Sequence, residues 1–312
     1  MVKKILVTGG AGYLGSVLVP ELLKREYQVT VLDLFIYGQS SLLDCCYDKK
    51  LTVIHGDCRD EETLKKALKG QDVIIPLAAI VGFPSCDRDK TAAVSTNLEA
   101  IKLLLKLREP AQQIIFPCTN SGYGIGQGDI YCDETSPIKP ISLYGTTKME
   151  AERLILESGN SVTFRFATLF GASPRMRTDL LVNDFVYRAV NDRALVIFEG
   201  DFVRNYLHVR DAARAFLFAI EHFEQMRGQT YNCGLSDSNL TKKELCERIK
   251  KFIPDFEYLS AEYTTDPDKR NYYVSNEKIE RAGFKPLYSI DDGIEELIKA
   301  YQIIKNQTYG NY

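Results

Sequence analysis

A short apolar run, Ile5-Leu6-Val7, leads directly into Thr8-Gly9-Gly10-Ala11-Gly12-Tyr13-Leu14-Gly15. A helical apolar pattern (Val17, Leu18, Leu22, Leu23) follows at once. Glycines at 9, 12 and 15 give the spacing GxxGxxG. That spacing suits a strand-to-helix turn built to receive a pyrophosphate. Gly9 permits the sharp turn, Gly12 lets the backbone approach the anion, and Gly15 lets the helix pack close to the strand. The helix N-terminus offers free N–H groups to the same anion. A second apolar run, Gln28-Val29-Thr30-Val31-Leu32, ends in Asp33. This is close to the spacing of a carboxylate that binds a ribose 2′-hydroxyl. A negative charge there would repel a 2′-phosphate, so NAD is expected rather than NADP.

The alternation continues along the first half of the chain. Strands are expected at 51–55, 72–77, 113–116 and 161–166, with helices at 61–68, 92–107 and 144–158. Strands alternating with helices predict an α/β fold, a Rossmann doubly wound parallel sheet. Beyond Gly171 the pattern loosens, with helices expected at 179–190, at 240–252 after a Ser or Asn cap, and at 291–304. This remainder predicts a smaller mixed α/β C-terminal substrate lobe over the carboxyl ends of the strands. The expected division is an NAD-binding domain over 1–170, with a returning segment at about 205–234, and a lobe over 171–204 and 235–312.

A chain of 312 residues can bury a sizeable core. Its net charge of -3 leaves no basic field for nucleic acid. No apolar run approaches the ~20 residues needed to span a bilayer, so no membrane partner is expected. Met1-Val2-Lys3-Lys4 resembles the start of a signal peptide, but the apolar stretch runs into the glycine turn instead of a cleavage site. A cytoplasmic location is therefore expected. Eight cysteines include no CxxC pair, and the three histidines are dispersed. Reduced thiols and no metal site are expected.

Tyr144-Gly145-Thr146-Thr147-Lys148 places a phenol and an ammonium one helical turn apart, facing the same way. A phenol with a pKa near ~10 is a poor base at neutral pH. A nearby Lys⁺ and an oxidised nicotinamide would stabilise its anion. The pair then suits removal of a hydroxyl proton as the attached carbon is oxidised.

Together, the glycine turn, Asp33, Gly56-Asp57, Leu77-Ala78-Ala79, Thr119-Asn120-Ser121-Gly122-Tyr123-Gly124 and YxxxK resemble the extended short-chain dehydrogenases/reductases, in that family's order. The resemblance runs over essentially the whole chain and points to the nucleotide-sugar branch, which oxidises a sugar at carbon 4. It implies Tyr144, Lys148 and Thr119 as catalytic residues. It implies cofactor contacts from Gly9, Gly12, Tyr13, Leu14, Gly15, Asp33, Asp57 (toward the adenine), Cys58, Leu77, Ala78 and Ala79, with Lys148 on the nicotinamide ribose. Substrate contacts are implied for Thr119, Asn120 and Ser121, and diphosphate contacts for Asn183, Arg204 and Arg270. Guanidinium forks suit that bidentate task. Arg175 and Arg177 are further candidates to face the cleft. Homodimerisation through the helices at 92–107 and 144–158 is also implied, and both carry apolar residues beyond one stripe.

Dehydratases of this branch carry an Asp-Glu pair directly after the catalytic Thr. Here Asn120 and Ser121 stand there, and neither is a useful acid or base. Epimerases acting at carbons 3 and 5 resemble the pattern with a Cys in place of Ser121. Strand alternation should turn Cys118 away from the cleft. A 4-dehydrogenase and a 4-epimerase or 4-reductase remain, with a non-catalytic NAD-binding sensor as the reading from another class. The stretches 76–82, 119–126 and 179–185 are very similar to those of GDP-D-glycero-D-manno-heptose 4-dehydrogenases. That likeness implies a GDP-heptose substrate, a role in making modified heptoses of bacterial capsules, and 2-oxoglutarate as the acceptor that reoxidises NADH.

Overall fold

The computed structural model of the chain describes residues 2–126, 130–261 and 270–304. The first five strands are β1 (Lys4–Thr8), β2 (Gln28–Asp33), β3 (Leu51–His55), β4 (Val73–Pro76) and β5 (Gln113–Thr119). A two-residue strand, β6 (Tyr131–Cys132), precedes β7 (Ser161–Phe166). Then come β8 (Thr168–Phe170), β9 (Ala194–Phe198), β10 (Val203–His208) and β11 (Thr230–Cys233). Seven of these form the central sheet in the order β11-β7-β5-β4-β1-β2-β3. Every neighbouring pair in it is parallel. Order reverses between β1 and β4, which opens a crevice at their carboxyl ends where ligands of such sheets bind.

Apolar alternation within each strand explains the two covered faces. Ile5 and Val7 point into one core with Val29, Val31 and the helices Gly15–Lys24 and Val209–Glu221. Leu6 points into the other with Ile74, Ile114, Phe116 and the helices Glu61–Leu68, Ala100–Leu107 and Leu143–Glu157. Burial on both faces is why these strands read as nearly continuous apolar runs. Val209–Glu221 and β11 lie late in the chain yet complete this sheet layer, β11 pairing with β7.

Two departures from the sequence expectation bear on the site. The helix expected at 92–107 is broken into Lys90–Val94, a π-turn Ser95–Glu99 and Ala100–Leu107. The wide turn carries Asn97, which is 2% exposed. Its Nδ2 donates to Ile80 O at 2.9 Å and its Oδ1 accepts from Ile80 N at 2.8 Å, fixing the loop beyond β4. In the lobe, Asn239–Thr241 is a strand paired antiparallel with β10. The helix expected from Leu240 therefore spans Lys242–Phe252, and its cap is Thr241 in a capping box with Glu244, not Ser or Asn. Among the described residues no helix is long and apolar enough to cross a membrane. All eight cysteines are free.

Candidate active site

Gly9 adopts φ +69°, and a Cβ there would lie 2.6 Å from Ala78 N. Only glycine fits this turn. Gly15 is crowded by the turn itself, with Gly10 O at 2.5 Å from a notional Cβ. The contact with the neighbouring strand belongs to Gly10 instead, whose Cβ would lie 2.9 Å from the Val31 side chain. This reassigns the packing role expected of Gly15. The following helix has no side-chain cap and no acid in its first turn. The N–H groups of Tyr13 and Leu14 make no hydrogen bond among the described residues. Unclaimed donors at a helix N-terminus fit a diphosphate. Asp33 fastens the turn, its Oδ2 accepting from Ala11 N at 2.9 Å and its Oδ1 from Phe35 N at 2.8 Å. Oδ1 also accepts from Gln39 Nε2 at 3.4 Å, and Oδ2 keeps a lone pair for a ribose hydroxyl.

A cavity of about 870 Å³ opens over this turn. All the cofactor residues named from sequence line it, from the glycine turn through Asp33, Asp57 and Cys58 to Leu77, Ala78 and Ala79. Arg59 lies 2.6 Å from Asp57 and holds its carboxyl below the usual range. Burial pushes the Cys58 thiol up to about 11, so it stays protonated. Thr119, Asn120, Ser121, Tyr144 and Lys148 line the same cavity, and Arg204 and Arg270 reach it from the lobe side. Of the motif around 266–270, only Arg270 lies among the described residues.

Ser142 caps the helix Leu143–Glu157, accepting from Gly145 N at 3.1 Å. That start turns Tyr144 and Lys148 into the cavity on successive turns. Lys148 is 4% exposed, with Nζ 4.0 Å from the centre of the Phe116 ring. Its ammonium forms no hydrogen bond among the described residues, and burial pulls its pKa down to about 8. Burial raises the Tyr144 phenol, and the leading charges opposing that rise are Arg177 and Arg270. The sequence reading gave this task to Lys148. Thr119 Oγ1 donates to Ser121 Oγ at 2.9 Å and accepts from Ser121 N at 3.1 Å. Arg270 Nη1 also donates to Ser121 Oγ. Cys118 packs away, its Sγ 3.6 Å from Met149 Sδ, and burial holds the thiol far above its usual pKa.

Asn183 is not in the cavity. It is 0% exposed, with Oδ1 accepting from Gly171 N at 3.0 Å and Nδ2 donating to Arg177 O at 2.8 Å. Tyr13 Oη donates to Gly171 O at 2.7 Å beside it. Asn183 thus ties the loop after β8 to the glycine turn and holds the Arg177 backbone, instead of meeting a diphosphate. Asn183→Ala is expected to cost about 2–4 kcal/mol in denaturant unfolding, because Gly171 N and Arg177 O are left buried and unpaired. A tenfold rise in substrate KM with unchanged stability would restore the direct contact. Arg175 and Arg177 both line the cavity, and Arg177 is paired with the buried Asp179. Lys242 also lines it, 4% exposed, with Nζ donating to Phe198 O at 2.7 Å. Sequence reasoning did not single out Lys242, although lysines are rarely this buried.

Residues 5–234 match the family model described as NAD dependent epimerase/dehydratase family. The protein named uncharacterized UDP-glucose epimerase YtcB, from Bacillus subtilis (strain 168), is 32% identical over 247 residues, covering 74% of this chain and 76% of that protein. A UDP-N-acetyl-alpha-D-glucosaminuronate decarboxylase of Bacillus cytotoxicus is 27% identical over 336 residues, covering 98% of this chain and all of that one. The solved UDP-glucuronic acid 4-epimerase of Bacillus cereus, in complex with UDP-glucuronic acid and NAD, superposes with a TM-score of 0.83 at 25% identity. That match covers 96% of this chain and 99% of the other.

Proposed function

The chain belongs to the NAD dependent epimerase/dehydratase family, and on that premise we propose that it oxidises a nucleotide-diphosphate sugar at carbon 4, with a GDP-heptose as substrate. One observation carries this reading. A phenol, a desolvated ammonium and a strand-end hydroxyl share a single cavity with two lobe arginines, while Asn120 and Ser121 supply no acid or base for elimination. Guanine and heptose rest on the likeness of the stretches 76–82, 119–126 and 179–185 to GDP-heptose 4-dehydrogenases.

NAD is the cofactor; when bound it supplies two-electron redox chemistry at the sugar carbon. The glycine turn would hold its diphosphate on the free Tyr13 and Leu14 amides, and Asp33 its adenosine ribose. Tyr144 Oη takes the proton of the carbon 4 hydroxyl, and Thr119 Oγ1 positions that oxygen. Lys148 Nζ, charged below pH 8, favours the anionic phenol once substrate and cofactor have displaced water. Arg204 and Arg270 would neutralise the substrate diphosphate. Turnover as a dehydrogenase needs an acceptor, for which we infer 2-oxoglutarate. Two hydrogens leave the sugar and end on the acceptor's keto carbon and oxygen.

A 4-epimerase is the second reading, favoured by the epimerase names of the Bacillus subtilis and Bacillus cereus proteins. Incubation with GDP-, UDP- and CDP-sugars, with and without 2-oxoglutarate, separates the two by product mass. The expected result is loss of two hydrogens from the GDP-heptose that depends on the acceptor. Unchanged mass with an inverted carbon 4 would replace dehydrogenation with epimerisation. A homodimer is part of the proposal, because Leu103, Leu105, Leu154 and Leu156 stay only half-buried on the two helices assigned to the interface.

A further inference from the structure

Two loops fastened to the glycine turn meet at the cavity wall. The first follows β2. Phe35 adopts φ +51°, uncommon for so bulky a residue, and Gly38 N donates to Phe35 O at 2.9 Å. Beyond this tight turn, Ser41 Oγ donates to Ala11 O at 2.7 Å. The second loop follows β8. Ser173 Oγ donates to Tyr13 O at 2.6 Å, and Arg175 N donates to Ser16 Oγ at 3.3 Å. The loops join where the Arg175 guanidinium lies over the Tyr37 ring, 4.1 Å from its centroid. Both residues line the cavity with Gly12, Tyr13 and Leu14. Tyr37 is nevertheless 46% exposed, which puts it at the rim. The contact closes a ring: from the glycine turn through Ser41 to Tyr37, across to Arg175, and back through Ser173 and Ser16.

We propose that the Tyr37–Arg175 contact is a strap across the dinucleotide diphosphate, and that NAD enters and leaves only when the two loops part. The inference rests on the glycine turn as the seat of NAD and needs nothing of the sugar chemistry. The amides of Tyr13 and Leu14, assigned to that diphosphate, belong to the ring of contacts that the strap closes. A cation over an aromatic face is held by the ring quadrupole and needs no directed hydrogen bond. It can therefore break and re-form as loops move. Tyr37 belongs to no core cluster among the described residues, so its displacement leaves the core packing alone. The ties at Ser41 and Ser173 confine the opening to the short segments between them and the strap.

Cofactor exchange tests this without turnover. Protein loaded with radiolabelled NAD and chased with unlabelled NAD gives the dissociation rate. Equilibrium dialysis gives Kd, and the two together give the association rate. Tyr37→Ala is expected to release NAD about 5- to 30-fold faster, the weight of a partly desolvated cation–ring contact. Uptake should quicken with it, so that Kd moves by less than about 3-fold. Tyr37→Phe keeps the ring and should stay within about 2-fold of wild type in both directions. Arg175→Met should match Tyr37→Ala, and the double variant should exceed neither by more than about 2-fold, because all three delete the same contact. Release from Tyr37→Ala within 2-fold of wild type overturns the proposal. Faster release at an unchanged uptake rate makes Tyr37 an ordinary cofactor contact and overturns it too, as do effects that multiply in the double variant. Should Arg175→Met fail to fold, the two Tyr37 variants decide the case alone. If the protein binds no NAD, the cofactor assignment falls and the strap with it. Exchange as expected but no loss of two hydrogens from any sugar removes only the dehydrogenation.

Discussion

Tyr144→Phe is expected to bind NAD and nucleotide sugar within about twofold of wild type while losing between 100- and 10,000-fold in turnover, the range for removing a general base. The substitution deletes one oxygen and keeps the ring, so the start of Leu143–Glu157 and the cavity wall stay in place. Neither of the two groups beside Lys148 at the end of β5 is set to replace it. The Cys118 thiol packs beneath the helix and burial keeps it protonated. Thr119 is a neutral hydroxyl tied to Ser121. Single-turnover absorbance of reduced cofactor, with cofactor binding followed separately by fluorescence, makes the check. Turnover within tenfold of wild type would remove Tyr144 from the role of base.

Much of this site was legible because its chemistry is local in sequence. The glycine turn and Asp33 each sit at the carboxyl end of an apolar strand, and Tyr144 and Lys148 share one helix face. Alternation and spacing alone place such groups at the mouth of a parallel sheet. What was missed depends on contacts between distant segments. Asn183 was assigned to the substrate, and Lys242 was not considered. The first is consumed by the Gly171 and Arg177 backbone, while the second lines the cavity. The break at Ser95–Glu99 was invisible too, since a single wide turn leaves the apolar pattern on either side intact and its Asn97 bonds Ile80 in the distant loop beyond β4. The lobe strands are short and pair with partners far along the chain, as Asn239–Thr241 does with β10. Their alternation has too few residues to stand out.

Lys148→Met is expected to abolish useful turnover and yet make the unliganded protein more stable. A straight apolar chain can keep the packing on Phe116 while dropping the charge. Burial pulls the Lys148 pKa down from 10.5 to about 8, and the nearby Glu152 carboxylate only partly offsets this. Below pH 8 the ammonium is charged in both folded and unfolded chains, so the folded state bears the full cost of desolvation. At 1.36 kcal/mol per pKa unit this is about 3 kcal/mol. Between about pH 8 and 10.5 the unfolded chain still holds the proton and the folded one has released it, so wild-type stability rises with pH across that window. The advantage of Lys148→Met should therefore be largest at pH 7, narrow through pH 9 and vanish near 10.5. Urea unfolding of both proteins at those three values measures it. A gap that does not change with pH would mean that the substitution acts through packing. A gap that closes would identify the strain as electrostatic. The fold then tolerates an incompletely compensated ammonium because the bound sugar and cofactor are what the charge is for, a conflict of stability with function expected at active sites.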